Sequence, residues 1–215
     1  MSAEQTTARI EAFSDGVFAV AITLLVLDIK VPPFQPVNPA FSLGHELLAE
    51  WPAYLAFVTS FLTILIMWIN HHRVFGLIRR TDDRFLILNG LLLLCVTVIP
   101  FSTSLLAAYI RLPDARLAAL VYAGSCLLMA VSFQSLWRYA ASNGRLLDAD
   151  HDPTVAAGIT KAFRFGPYLY LIVFVLGFVS VVASVGLAAL LAIFFTIPPR
   201  KHAALTARSR EESEV

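Results

Sequence analysis

The stretch that decides the fold runs Arg9-Ile-Glu-Ala-Phe13-Ser14-Asp15-Gly-Val-Phe-Ala-Val20-Ala-Ile-Thr23-Leu24-Leu-Val-Leu27-Asp28. It is an almost unbroken apolar run, and about 20 residues is the length a helix needs to cross a bilayer. Its entrance nevertheless carries Arg9, Ser14 and Asp15, and its exit carries Asp28. An ionisable side chain in hydrocarbon costs roughly 2.5–3.5 kcal/mol, so such groups usually face a bundle interior or a water-filled path. Two readings are open. Either Arg9 and Asp28 reach the headgroups and only Asp15 needs a partner, or this helix lines something.

Helical geometry separates the two tasks of the segment. At about 100° per residue, Arg9, Phe13, Gly16, Val20, Thr23, Leu24 and Leu27 fall on one stripe, while Ser14 and Asp15 point elsewhere. The stripe is a ladder of apolar side chains with a single hydroxyl. If the helix were repeated around a symmetry axis, Val20, Thr23 or Leu24, and Leu27 would stack as rings. Narrow apolar rings can constrict by size and gate by dewetting. The same stripe could equally pack into the subunit's own core.

Outward from this helix the chain keeps the same character. Of its 215 residues, 58% are hydrophobic and 14% charged, with a mean hydropathy of +0.75. Soluble domains carry roughly a quarter charged residues, so this is an all-α polytopic membrane protein with no separate soluble domain. A net charge of +1 argues against a nucleic-acid partner. Cys95 and Cys126 lie in apolar runs without metal-ligand spacing, so neither a disulfide nor a metal site is expected. The first segment lacks the basic entry and small-residue exit of a cleaved signal peptide.

Five apolar segments are plain and a sixth has to be argued. The expected spans are about 9–30, 49–72, 84–110, 116–140, 160–182 and 184–199, within a six-span unit 1–200 followed by a cytoplasmic tail 201–215. The Pro-rich stretch at 31–36 breaks the first, and Pro100 falls inside the third. The last apolar run, Pro167 to Pro199, is too long for one span at roughly 50 Å, and Gly177, Ser180, Ser184 and Gly186 mark its expected turn. Charge supports six. Arg9, Arg73, Arg79, Arg80, Arg84, Arg138, Arg145, Lys161, Arg164, Arg200, Lys201, Arg208 and Arg210 then share one side, leaving Lys30, Arg111 and Arg116 of the 16 basic residues opposite. The positive-inside rule puts the richer side, with both termini, in the cytoplasm.

Polar groups collect at the depth of Ser14 and Asp15. The second span ends in Trp68-Ile-Asn70-His71-His72, and the third begins near Asn89. These residues can supply the donors that a carboxylate needs in a low-dielectric site. The simplest reading is a hydrogen-bond clasp that fixes helix packing. A metal site is disfavoured because adjacent His71 and His72 point about 100° apart on a helix. A Ser14–Asp15–His hydrolase triad lacks a glycine-rich nucleophile turn, so no enzyme is expected. Ser102, Thr103 and Ser104 are expected to satisfy carbonyls freed by Pro100. No Thr-Val-Gly-Tyr-Gly filter loop occurs anywhere.

Arg9-x-x-x-Phe13-Ser14-Asp15, with Trp68, His71-His72, Asn89 and Pro100, resembles the signature of the transmembrane protein 175 potassium channels, in their shorter bacterial, six-span form. The resemblance runs from Arg9 to about Arg200. It implies a homotetramer in a bacterial inner membrane, with first helices lining a central pore and K+ as permeant ion without any cofactor. It further implies Val20, Thr23, Leu24 and Leu27 as pore and constriction residues. Arg9, Phe13, Ser14, Asp15, Trp68, Asn70, His71 and Asn89 would form a structural network around the pore helix. Val20 is a departure, since the family often carries Ile or Leu there. Two other readings remain, a proton pathway through Asp15 and His71, and a secondary transporter. The transporter is disfavoured by the lack of an internal repeat.

Overall fold

The computed structural model describes residues 3–32, 42–148 and 153–196. Helix α1, Ala3–Leu24, tightens at its end into a 3-10 turn, Leu25–Asp28. The short α2, Leu43–Ala49, leads into α3, Trp51–Phe75. Then come α4, Asp83–Tyr109, and α5, Ala115–Ala141, followed by a 3-10 turn at Ser142–Gly144. The chain ends its described part with α6, Pro153–Phe163, α7, Gly166–Val179, and α8, Val181–Thr196. Five stretches are long and apolar enough to cross a membrane, from Thr7, Trp51, Asp83, Ala115 and Pro153, and α8 is a shorter apolar helix. The proposed tail 201–215 and the end of the sixth expected span lie outside the described residues.

Packing follows the distribution of small and large side chains. Helix α5 lies against α4 and α7, and its face of Ala118, Ala119, Tyr122, Ala123, Cys126 and Met129 is buried. Hydroxyls stitch the middle of the bundle together. Ser60 of α3 is 2.7 Å from Thr103 of α4 and donates to the Tyr122 hydroxyl of α5 at 3.1 Å. Between transmembrane helices, such bonds and close approach at small residues replace the hydrophobic drive that lipid removes. At the far end, Arg111 stacks over Trp51 at 5.2 Å. That pairing of a cation and an indole suits a membrane–water interface.

The fifth segment and the hydroxyls of α4 depart from the sequence-based expectation, while the last turn falls among the residues expected to mark it. The fifth segment is two helices, because the chain turns at Arg164–Phe165 and Pro167 starts α7 afresh, where a missing N–H costs nothing. The turn between the last two helices is a single extended residue, Ser180, whose hydroxyl accepts the N–H of Ala183. The chain folds back there, and the Ser184 hydroxyl donates to the Val173 carbonyl at 2.8 Å. In α4, Ser102 and Thr103 both donate to the carbonyl of Ile99. Pro100 instead deprives the carbonyl four residues back, at Val96, of its usual donor, so the hydroxyls do not serve the group they were expected to serve.

Candidate pore helix and its polar anchor

Helix α1 packs against α3 and α4 and leaves its remaining side uncovered. Ser14, Phe18, Ala21 and Leu25 recur at helical spacing and are fully buried. The opposite stripe is open. Phe13 is 67% exposed, Val20 58%, Leu24 44% and Leu27 71%, and Gly16 and Thr23 are also exposed. The Thr23 hydroxyl donates to the Val20 carbonyl at 2.9 Å, which turns its oxygen lone pairs outward from the helix backbone. Beyond Leu24 the 3-10 turn changes the periodicity. In a 3-10 helix residues three apart eclipse one another at about 2.0 Å rise per residue. Leu27 is therefore brought over Leu24, about 6 Å further along the axis, where an α-helix would set it about 60° from Leu24 and closer to the line of Val20.

The anchor on the buried side is two separate hydrogen-bond chains. In the first, Asn89 of α4 donates through Nδ2 to Ser14 Oγ at 3.0 Å, and Ser14 donates to the Ile10 carbonyl at 2.8 Å. Asn89 Oδ1 faces His71 Nε2 at 3.0 Å. With the amide nitrogen committed to Ser14, Nε2 must be the donor, which fixes the tautomer of His71. The His71 ring is stacked on Phe75 with centroids 4.3 Å apart and tilted against Phe18 at 5.3 Å. The second is joined by ring stacking: Trp68 Nε1 donates to Asp15 Oδ1 at 2.9 Å, His72 Nδ1 pairs with Glu11 Oε1 at 2.9 Å, and the Trp68 and His72 rings stack with centroids 6.0 Å apart.

Of the residues expected in the network, Ser14, Asp15, Trp68, His71 and Asn89 meet in these two chains. Phe13 lies on the open stripe instead, since it is three residues before Gly16 and seven before Val20 on that side of the wheel. Arg9 is exposed on the first described turns. Asn70 points away from α1 and lines a small cleft with Thr63, Phe133, Phe163 and Tyr170. It cannot share the face of Trp68, His71 and His72, because two residues along a helix is a rotation of about 200°. Glu11 was not anticipated as a participant. Its signal was present, because Glu11 and Asp15 on one helix, and Trp68 and His72 on another, are both i,i+4 pairs. Among the described residues, no group of three or more His, Cys, Asp or Glu side chains could hold a metal ion.

These features define an α-helical, multi-pass membrane protein whose first helix is fastened on one face by polar side chains and open along the other. The family model described as endosomal/lysosomal potassium channel TMEM175 matches residues 9–100. A potassium channel of Chamaesiphon minutus is 55% identical over 90% of this chain and 95% of its own length. The crystal structure of a lysosomal potassium-selective channel TMEM175 homologue from that organism superposes with a TM-score of 0.81 at 53% identity, covering 89% of this chain and 97% of that one. The human endosomal/lysosomal proton channel TMEM175 is 36% identical over 61% of this chain, which spans 27% of the human protein. The chain belongs to the TMEM175 family.

Proposed function

We propose that this protein is a potassium-permeable channel in which the open stripe of α1 lines the conduction path around a four-fold axis. Four subunits would each contribute Val20, Thr23, Leu24 and Leu27, with Val20 and Leu27 as the restrictive rings and Thr23 as a polar contact. The observation that carries this reading is the two-sidedness of α1. Its Ser14–Leu25 face is buried in the subunit, and the stripe the family resemblance assigns to the pore is the face left uncovered. A relative 55% identical over nearly the whole chain is a potassium channel, which gives the ion. Selectivity is moderate, because rings of side chains lack the dense carbonyl coordination of a filter loop. The channel sits in the bacterial inner membrane with both termini in the cytoplasm, and the segment 1–200 forms its conducting unit.

The polar chains beneath the pore helix serve assembly. Ser14, Asp15, Trp68, His71 and Asn89 hold α1 at the angle the rings require, and Asp15→Ala lowers the yield of tetramer. The name of the human relative keeps proton conduction as the second reading. Against it, Asp15 and His71 belong to different hydrogen-bond chains, Asp15 accepting from Trp68 and His71 Nε2 donating to Asn89, so no hydrogen bond joins the two. The deciding experiment is ion flux in liposomes, paired with the mass of the complex. A potassium gradient is expected to drive flux through a tetramer. Proton flux without potassium, of equal size and abolished by Asp15→Asn, would replace this reading with the second.

A further inference from the structure

At the end of the bundle where α1 starts, two loops are locked together away from the pore helix. Ile78 and Leu147 form an antiparallel bridge, Arg79 and Arg80 both donate backbone N–H groups to the Leu146 carbonyl, and Asp148 N–H donates to Leu77. Ile78, Leu146 and Leu147 are buried beneath this pairing. The loop after α3 and the turn after α5 therefore form a fixed frame rather than independent tips. Between them opens a cleft of about 690 Å³, lined by Arg80, Arg84, Tyr139, Ser142, Gly144 and Arg145.

The chemistry of the cleft is anion recognition. Arg84 and Arg145 both lie against the ring of Tyr139, at 5.3 and 5.6 Å from its centroid. Two guanidiniums on one ring repel each other, and an anion bound between them relieves that repulsion. The acid that touches them, Asp82, accepts the Tyr139 hydroxyl at 2.7 Å and the Phe85 N–H at 2.9 Å, and approaches Arg145 only at 3.6 Å. Asp148 is committed to Arg79 at 2.8 Å. Three guanidiniums thus face one carboxylate whose lone pairs are largely taken. Planar guanidinium forks match phosphate oxygens, and the Ser142 hydroxyl adds a donor. The cleft lies at the ends of three membrane-crossing helices, the depth of lipid headgroups, where basic pockets between helices take anionic heads.

We propose that this cleft binds the phosphate of an anionic lipid headgroup, with Arg80, Arg84 and Arg145 as the phosphate ligands. The lipid would brace the α3–α4 and α5 loops that carry the helices packed behind α1. The site is separate from the conduction path, so its test does not depend on which ion the channel passes.

The test uses the delipidated full-length channel, incubated with equal amounts of phosphatidylglycerol and phosphatidylcholine and weighed with its bound lipid by native mass spectrometry. The wild type is expected to retain phosphatidylglycerol preferentially. Arg80→Gln with Arg84→Gln is expected to reduce that preference about tenfold or more, since each basic group near the surface contributes about 1 kcal/mol and about 1.4 kcal/mol is tenfold. Arg73→Gln, at the same end but outside the cleft, is expected to keep it. Should the double variant fold poorly, Arg80→Gln alone suffices, because its side chain makes no hydrogen bond among the described residues. Equal retention by wild type and variants overturns the proposal. Displacement of the lipid by inorganic phosphate at matched concentration, with no preference for either lipid, assigns the cleft to free phosphate and overturns the lipid assignment.

Discussion

Val20 is a small side chain in a position where size is the whole of its chemistry. In the proposed ring of four copies, with no fixed carbonyl ligands on the stripe, the only discrimination available would be the ring's width and dryness. Val20→Ala is therefore expected to widen the ring and lower the potassium-over-sodium permeability ratio, and Val20→Asn to lower it further by wetting the constriction. Bi-ionic reversal potentials of the reconstituted channel measure both. Unchanged ratios for substitutions at 20, 23, 24 and 27 alike would remove the pore from this helix. Ser14 works by the opposite logic, since it is fully buried and its oxygen both accepts from Asn89 and donates to Ile10. Ser14→Ala leaves the Asn89 amide without its acceptor, at a cost of about 1–3 kcal/mol. A lower melting temperature of the subunit in detergent is the expected result, while the permeability ratio of the protein that does assemble stays as it was. Loss of selectivity in a variant of undiminished stability would contradict the division between anchor and stripe.

Among the elements, α4 shows how a helix of this bundle is started. Asp82 sits at its N-cap with extended backbone and accepts the Phe85 N–H, satisfying one of the orphan donors of the first turn. The Tyr139 hydroxyl, the Phe85 N–H and the neighbouring arginines hold the Asp82 carboxyl below its ordinary value of 3.8. A carboxyl depressed in the folded protein contributes stability that is present above the ordinary value and fades as pH falls through the lower, folded one. Thermal stability is therefore expected to be flat through neutral pH as far as this group is concerned, and to fall only in acid below that range. Asp82→Asn keeps a capping oxygen and removes the acid-range part of the dependence. A pH profile of melting that is identical in wild type and D82N would show that the carboxylate's charge contributes nothing.

The same element scale shows what the sequence could and could not carry. Long apolar runs and the 100° wheel of α1 were legible, because hydrophobic period and span length are properties of single segments. The clasp partners Trp68, His71 and Asn89 were legible as well, since depth in the membrane follows from position along each helix. The turn at Arg164–Phe165 was not, for it depends on where α6 packs, fastened by Trp137 Nε1 donating to Thr160 at 2.9 Å and by Phe133 edge-on to Phe163. Asn70 was misplaced by reading depth without rotation, and Glu11 was missed because its i,i+4 relation to Asp15 was not matched to that of Trp68 and His72. Leu27 was assigned to the stripe on an α-helical angle, and the tightening after Leu24 keeps it there while moving it over Leu24.

For the whole molecule, the arrangement turns on whether α8 crosses the membrane. Its 16 residues span about 24 Å and the 14 of α7 about 21 Å, each short of a hydrocarbon core of about 30 Å. Helices this short can still cross by thinning the bilayer locally, at fractions of a kcal/mol per Å. The backfolding at Ser180 and the bond from Ser184 to Val173 fit a crossing pair better than one continuous span. An even number of crossings is what leaves the basic residues on one side. In a Cys95→Ala, Cys126→Ala background, Ser2→Cys and Ser213→Cys are expected to escape a membrane-impermeant maleimide added to intact cells, and Ala115→Cys to react. Both terminal cysteines react once the cells are opened. Labelling of Ser213→Cys but not Ser2→Cys from outside would give an odd number of crossings. It would place Arg200, Lys201, Arg208 and Arg210 on the outer face, against the charge bias that orients every other loop of the chain.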